Sequence, residues 1–235
     1  MTDVRERIVS SAYPLFVNRG IRDVSVGEIE RVARVSHADF EREFPTRDDL
    51  AAECLERRER EWTFGVVEAG ARARGTTPEE RLLAIFDVFD EWFRRDDYEA
   101  CTFINVLLEM GREHPLGRAS AEYLVHIRRI VGTLATEAGL RDPDELALSW
   151  HILMKGSIIN AVEGDAKAAL RAKEMARDLI ARHRLVTAPQ PASPQLGAIR
   201  RWWDDLTAST RVLVVVNGVV ITGIGALGLV LPMVP

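Results

Sequence analysis

The sequence predicts an all-α protein. Apolar residues recur at helical spacing along most of the chain, and no convincing alternating strand run interrupts them. The breaks carry Ser, Thr and Asp at cap positions and Pro at first helical turns, which is how helices begin. The first helix is expected at 3–19, with Ile8, Ala12, Leu15 and Phe16 on one face and Gly20 after it. Pro14 sits inside it, removes a backbone donor and is expected to kink it. Ser25 caps a short helix at 25–33 whose apolar face is Ile29, Val32 and Ala33. Arg34-Val35-Ser36 makes a tight connection, and Ser36 caps a third helix at 36–43. Phe40 and Phe44, four apart, turn inward there. Pro45 ends it, and Thr46 opens a long helix at 46–73 with Asp48 and Asp49 in its first turn.

The second half repeats these signals. Thr77 precedes Pro78, Glu79 and Glu80, so a helix at 78–95 starts with a cap, a first-position Pro and an acidic turn. Leu82, Ile85, Phe86, Phe89, Trp92 and Phe93 make the strongest apolar stripe in the chain. Helices at 98–112 and 116–138 are separated by His114-Pro115. Asp142-Pro143-Asp144-Glu145 repeats the cap logic for a helix at 142–163, striped by Leu146, Trp150, Leu153, Ser157 and Ala161. Gly164-Asp165 then leads into a helix at 165–184. Residues 187–197, TAPQPASPQLG, contain Pro189, Pro191 and Pro194 and read as a linker.

The tail differs from everything before it. From Val212 onward there is no charged residue. A helix over 212–231 rises about 1.5 Å per residue and reaches roughly 30 Å, one hydrocarbon core. Gly218, Thr222 and Ala226 give it a small-residue face suited to packing in lipid. Ile199, Trp202, Trp203 and Leu206 share one helical face just before it, flanked by Arg200, Arg201 and Arg211 on the near side. Interfacial Trp and one-sided Arg fit a membrane boundary with the preceding chain in the cytoplasm. The expected organisation is therefore 1–48, 49–185, a Pro-rich linker at 186–198, and a juxtamembrane segment with a single transmembrane helix at 199–235. Anchorage to the cytoplasmic membrane, with lipid as a partner, follows.

Composition narrows the function. The net charge of −5 opposes indiscriminate nucleic-acid binding but leaves room for a local basic patch. Two distant cysteines, Cys54 and Cys101, make neither a disulfide framework nor a ligand spacing and fit a reducing compartment. The charged N-terminus has no apolar run of the signal-peptide kind. No glycine-rich phosphate loop, HExxH, GxSxG or CxxC is present, and the five histidines are scattered, so no metal, cofactor or enzymatic chemistry is expected. Glu109, Glu113 and His114 come nearest to a catalytic grouping and read as a solvated helix end.

Two short helices joined by a tight turn and braced by a preceding one describe a helix-turn-helix. The stretch RERIVSSAYPLFVNRGIRDVSVGEIERVARVSHADFEREFPTRDDL resembles the N-terminal domain of TetR/AcrR-type transcriptional regulators. The matching features are the apolar first helix ending in Leu-Phe and Arg-Gly, the Ser-capped second helix, the Val-Ser turn and the Phe-Pro-Thr-Arg-Asp-Asp-Leu exit. CTFINVLLEM and HILMKGSIINAVEGD also look like the ligand and dimer domain of these regulators. The resemblance implies a TetR-like three-helix DNA-binding domain, a helical ligand-binding and dimerisation domain, and a ligand-responsive homodimeric repressor of double-stranded DNA.

Residue by residue, it puts Ser25, Ser36, Thr46 and Arg47 at phosphates and His37, Asp39 and Arg42 at base edges. It puts a small apolar ligand between the middle helices. There Phe86, Phe89 and Phe103 are candidates among a mostly core aromatic set, and Asn105 and His126 would orient the ligand. The last two long helices would pair with their copies, using Trp150, Leu153, Met154, Ser157 and Ile158. The sequence departs from the family at Glu41, where an aromatic is usual, and at Glu43, where His or Tyr is frequent. Residues 36–44 hold three acids against one Arg and one His, and each carboxylate opposes a phosphate. The alternative is a membrane-bound interaction protein that keeps the fold without sequence-specific DNA binding.

Overall fold

A computed structural model of the chain describes residues 3–184, all within one compact unit. The described residues form helices and connections, with no strand among them. The helices are α1 (Val4–Arg19), α2 (Val26–Ala33), α3 (His37–Glu43), α4 (Arg47–Arg58), α5 (Ala69–Arg74), α6 (Pro78–Phe93), α7 (Thr102–Met110), α8 (Pro115–Glu137), α9 (Pro143–Val162) and α10 (Ala168–His183). No helix among these residues is long and apolar enough to cross a membrane. The linker at 186–198 and the transmembrane expectation for 199–235 lie outside the described residues.

The N-terminal helices share an apolar centre. Ile8, Val9, Ala12 and Phe16 of α1 meet Ile29 and Ala33 of α2, and Phe40, Phe44 and Leu50 complete the cluster. Helix α1 runs through Pro14 as one element, and Asn18 donates to the Pro14 carbonyl at 2.8 Å. The larger core fills the space among α6, α8, α9 and α10. Leu82, Ile85, Phe86 and Phe89 enter from α6, Val131 and Leu134 from α8, and Leu146 and Trp150 from α9. Helix α10 closes it with Ile180 and with Ala169, Ala172 and Ala176, small residues that allow close approach. Lys173 reaches Asp87 on α6 with both oxygens at 2.6 Å.

Several elements differ from the sequence expectation, each for a specific reason. The long helix at 46–73 is continuous but changes winding. Between α4 and α5, Glu59–Glu68 is π-helical, and Gly65 within it lowers the preference for regular α winding. Helix α7 begins at Thr102 rather than 98. Tyr98 is held out of it by a hydrogen bond from its hydroxyl to the Ile158 carbonyl at 2.9 Å and by its ring against Trp92. Helix α10 starts at Ala168 because Asp165 accepts from the Lys167 amide at 3.0 Å and pairs with Arg171 at 2.9 Å. Asp142 precedes α9 as expected, with Pro143 first, but it adopts a left-handed backbone and its side chain caps nothing. Helix α8 leans closely on the end of α7: a Cβ on Gly117 would lie 1.9 Å from the Gly111 carbonyl oxygen.

Candidate nucleic-acid interface

The geometry of the first fifty residues is set by three caps. Ser25 accepts from the Glu28 amide at 3.3 Å, Ser36 from the Asp39 amide at 3.1 Å, and Thr46 from the Asp49 amide at 3.1 Å. Asp49 returns the bond to the Thr46 amide at 3.0 Å, a capping box worth about 1 kcal/mol or more at this position. Each cap fixes where a short helix starts, so α2 and α3 hold their mutual angle although neither is long enough to be stable alone.

Helix α3 is exposed, with only Phe40 fully buried. Its outward charges are paired with one another. Arg42 lies 2.8 Å from Asp39 and 3.3 Å from Glu43. His37 lies 2.7 Å from Glu30 and 3.3 Å from Glu41. The hydrogen bond to Glu30 and the charge of Glu41 raise the His37 pKa, so the imidazole stays positive to higher pH than a free one. Ser36 and then Arg42 hold Asp39 below the usual carboxylate range. Arg47 turns inward and donates to the carbonyls of Arg22 and Val24 at 3.1 and 3.3 Å, and its buried Nε lies 3.8 Å from Asp48 without a hydrogen-bond partner among the described residues. It clamps the loop between α1 and α2. Sequence reasoning put Arg42, His37 and Arg47 at the DNA; in the isolated chain all three are engaged by protein groups.

The exposed cations of this region without a side-chain partner among the described residues include Arg7, Arg22, Arg31 and Arg34. Arg34 ends α2 with φ 54° and ψ 51°, the left-handed conformation that costs a non-glycine residue about 1–2 kcal/mol. Replacing Arg34 by Gly is therefore expected to raise stability by up to about 1 kcal/mol, part of the relief being lost to the freer unfolded chain. Urea denaturation of the two proteins measures it.

A carboxylate ties this domain to the rest. Glu109, on α7, accepts from the backbone amides of Ile21 and Arg22 at 3.1 and 2.7 Å. Gly20 makes room with φ +85°, and a Cβ there would lie 3.1 Å from that carboxylate. Glu109 is thus a brace between α7 and the α1–α2 loop, not the solvated helix end expected from sequence. His114 is likewise occupied, as the cap of α8 and 3.4 Å from Asp48. Glu109→Ala is expected to cost about 1–3 kcal/mol, the usual loss when bonds to a charged acceptor are removed. It should also speed hydrogen exchange at the Ile21 and Arg22 amides selectively.

The five ligand candidates do not converge. Phe86 packs on Trp150 with ring centres 5.4 Å apart, and Phe103 on Tyr123 at 5.2 Å, both as core. Asn105 is exposed in a groove with Tyr13, Phe16 and Glu109. His126 pairs with Glu59 of the π-helical stretch. Phe89 alone lines the void between that stretch and α9, beside His151, which sequence reasoning missed. The proposed interface residues need correction too. Trp150, Met154, Ser157 and Ile158 are buried within the subunit and Leu153 is half-buried, because they form the inward face of α9. Leu148, Ile152 and Ile159 form its exposed face.

This arrangement has close counterparts among solved structures. A TetR-family transcriptional regulator from Streptomyces coelicolor superposes with a TM-score of 0.71 over 77% of this chain and 95% of its own, at 21% identity. The reduced form of NemR from E. coli gives 0.68 over 76% and 97%, at 16% identity. A TetR transcriptional regulator from Legionella pneumophila gives 0.65 over 77% and 98%, at 15% identity. No protein-family model matches the sequence, and no curated protein sequence matches it. The chain has the TetR/AcrR fold.

Proposed function

We propose that the protein is a transcriptional regulator that binds double-stranded DNA as a homodimer, responds to a small ligand and is tethered to a membrane. The observation that carries the DNA reading is the capped helix-turn-helix. Ser25, Ser36 and Thr46 fix three helix starts, α3 is left exposed, and Arg22, Arg31 and Arg34 supply charge for phosphates. Base readout by α3 requires DNA phosphates and base edges to compete with the Asp39–Arg42 and Glu30–His37 pairs. Binding should therefore be selective rather than tight, and should weaken steeply with salt. Enrichment of genomic fragments by the full-length protein tests the reading. Reproducible recovery of a few sequences is expected. Recovery independent of sequence, or none, would leave an interaction protein with this fold.

The dimer is supported by the outer face of α9. Leu148, Ile152 and Ile159 are exposed there, with Ile152 at 71%, and Gly156 between them has no atom near its missing Cβ. Met175 on α10 is exposed as well. A self-packing face of this kind places two copies of the helix-turn-helix at a fixed separation. Ile152→Glu is expected to give a folded monomer in light scattering, because a charge on that face has no partner to satisfy it. Membrane tethering is supported by the charge-free run 212–231 with Trp202, Trp203 and the preceding arginines. Removal of residues from 198 onward is expected to shift the protein from the membrane fraction to the soluble fraction.

A further inference from the structure

The void between the π-helical stretch and α9 has a chemical signature. Its walls are apolar and aromatic, with Trp62, Phe89 and Trp92 foremost, and three polar side chains interrupt them: Cys101, His151 and Lys155. His151 is 4% exposed, and its ring makes no hydrogen bond among the described residues. The imidazole lines the void and its ring is engaged by no other side chain, so it can offer a polar contact to an occupant. No carboxylate among the described residues lines the void. The charges that His151 feels, Lys155 and Arg128, are both positive, as are those felt by Cys101, Arg58 and Lys155. A cationic occupant is thereby disfavoured, and an anionic or acceptor head favoured.

We propose that this void is the effector site and that its occupant is a small hydrophobic acid, its apolar body between Trp62 and Trp92 and its carboxylate on His151 and Lys155. The proposal rests on the ligand-response reading and adds the chemistry of the ligand. The space is small, about 20 Å³, room for little more than one water. Entry must therefore displace a wall. Trp62 and Val67 of that wall belong to the π-helical stretch, which runs unbroken into α4. Helix α4 carries Arg47, the clamp on the α1–α2 loop. Irregular winding at the wall gives the helix a segment that can change register without breaking, so occupancy is transmitted toward the DNA-reading helices.

The test uses the full-length protein and three probes of one shape: naphthalene-2-carboxylate, its primary amide and 2-naphthylmethylamine. Tryptophan fluorescence reports binding, since Trp62 and Trp92 line the site, and thermal shift provides a second readout. The acid is expected to bind at least about tenfold more tightly than the amide or the amine, the preference of one charge-assisted contact over its neutral counterpart. Lys155→Gln and His151→Gln should each weaken the acid more than the amide and so narrow that preference, with circular dichroism and the thermal transition showing that each variant is folded. Preference for the amide or the amine, an unaltered preference in both variants, or binding of none of the three overturns the proposal. A neutral or cationic probe that binds at least as tightly as the acid and changes DNA affinity would reject the acid while leaving ligand response intact.

Discussion

Trp150→Ala is expected to destabilise the protein by about 3–5 kcal/mol, the range for deleting a fully buried aromatic. Trp150 is completely covered in the middle of α9 and its ring lies 5.4 Å from that of Phe86 on α6. Removing it leaves a cavity at the junction of the two longest stripes in the core, where neighbouring helices are too constrained to collapse. Domains of this size hold about 5–15 kcal/mol in all, so the variant should sit near the threshold of folding. The indole Nε1 is buried without a hydrogen-bond partner among the described residues. Trp150→Phe keeps most of the ring and removes that unsatisfied donor, whose burial costs about 1–3 kcal/mol. The phenylalanine variant should therefore lose far less than the alanine variant. Urea denaturation of the three proteins decides it: near-equal losses for Phe and Ala would mean that the indole nitrogen has a partner and that ring volume matters little.

The second large effect is acid sensitivity through His151. Burial, then the charges of Lys155 and Arg128, hold its pKa down at about 3. In the unfolded chain the imidazole titrates near the ordinary value of about 6.5. Between those values the unfolded state binds a proton that the folded state refuses, so stability falls as pH falls. The contribution is fully present above about pH 6.5 and is lost progressively toward pH 3, at up to about 1.4 kcal/mol per pH unit. Carboxylates add their own losses only at the lower end of that range. The informative window is therefore pH 6.5 to 5. There the wild type should lose stability while His151→Leu stays nearly flat. Parallel curves would mean that His151 accepts a proton in the folded protein.

What the sequence disclosed and what it concealed divide along physical lines. The starts at Ser25, Ser36, Thr46 and Thr77 were legible because a cap is a contact between residues three apart. The inward phase of α1 and α6 was legible because their apolar residues lie on one side. Helix α9 is apolar on two sides, with Trp150, Met154 and Ile158 inside and Leu148, Ile152 and Ile159 outside. Periodicity alone cannot say which side faces the core, and the dimer candidates were drawn from the side that does. The start of α7 and the roles of Glu109 and Arg47 all depend on partners from 23 to 88 residues away. No local pattern announces such contacts. His151 falls in the same class: as one histidine in an apolar helix it has no signal until Trp62 and Trp92 are seen around it.

The central claim is that two copies of this helix-turn-helix read DNA together. The most direct measurement is a hydroxyl-radical and methylation footprint of the full-length protein on a fragment recovered by enrichment. The account predicts two protected major-groove patches on one face of the duplex, about one helical turn or a whole multiple apart, related by an inverted repeat in the sequence. A single protected patch, or protection spread evenly along the fragment, would contradict it.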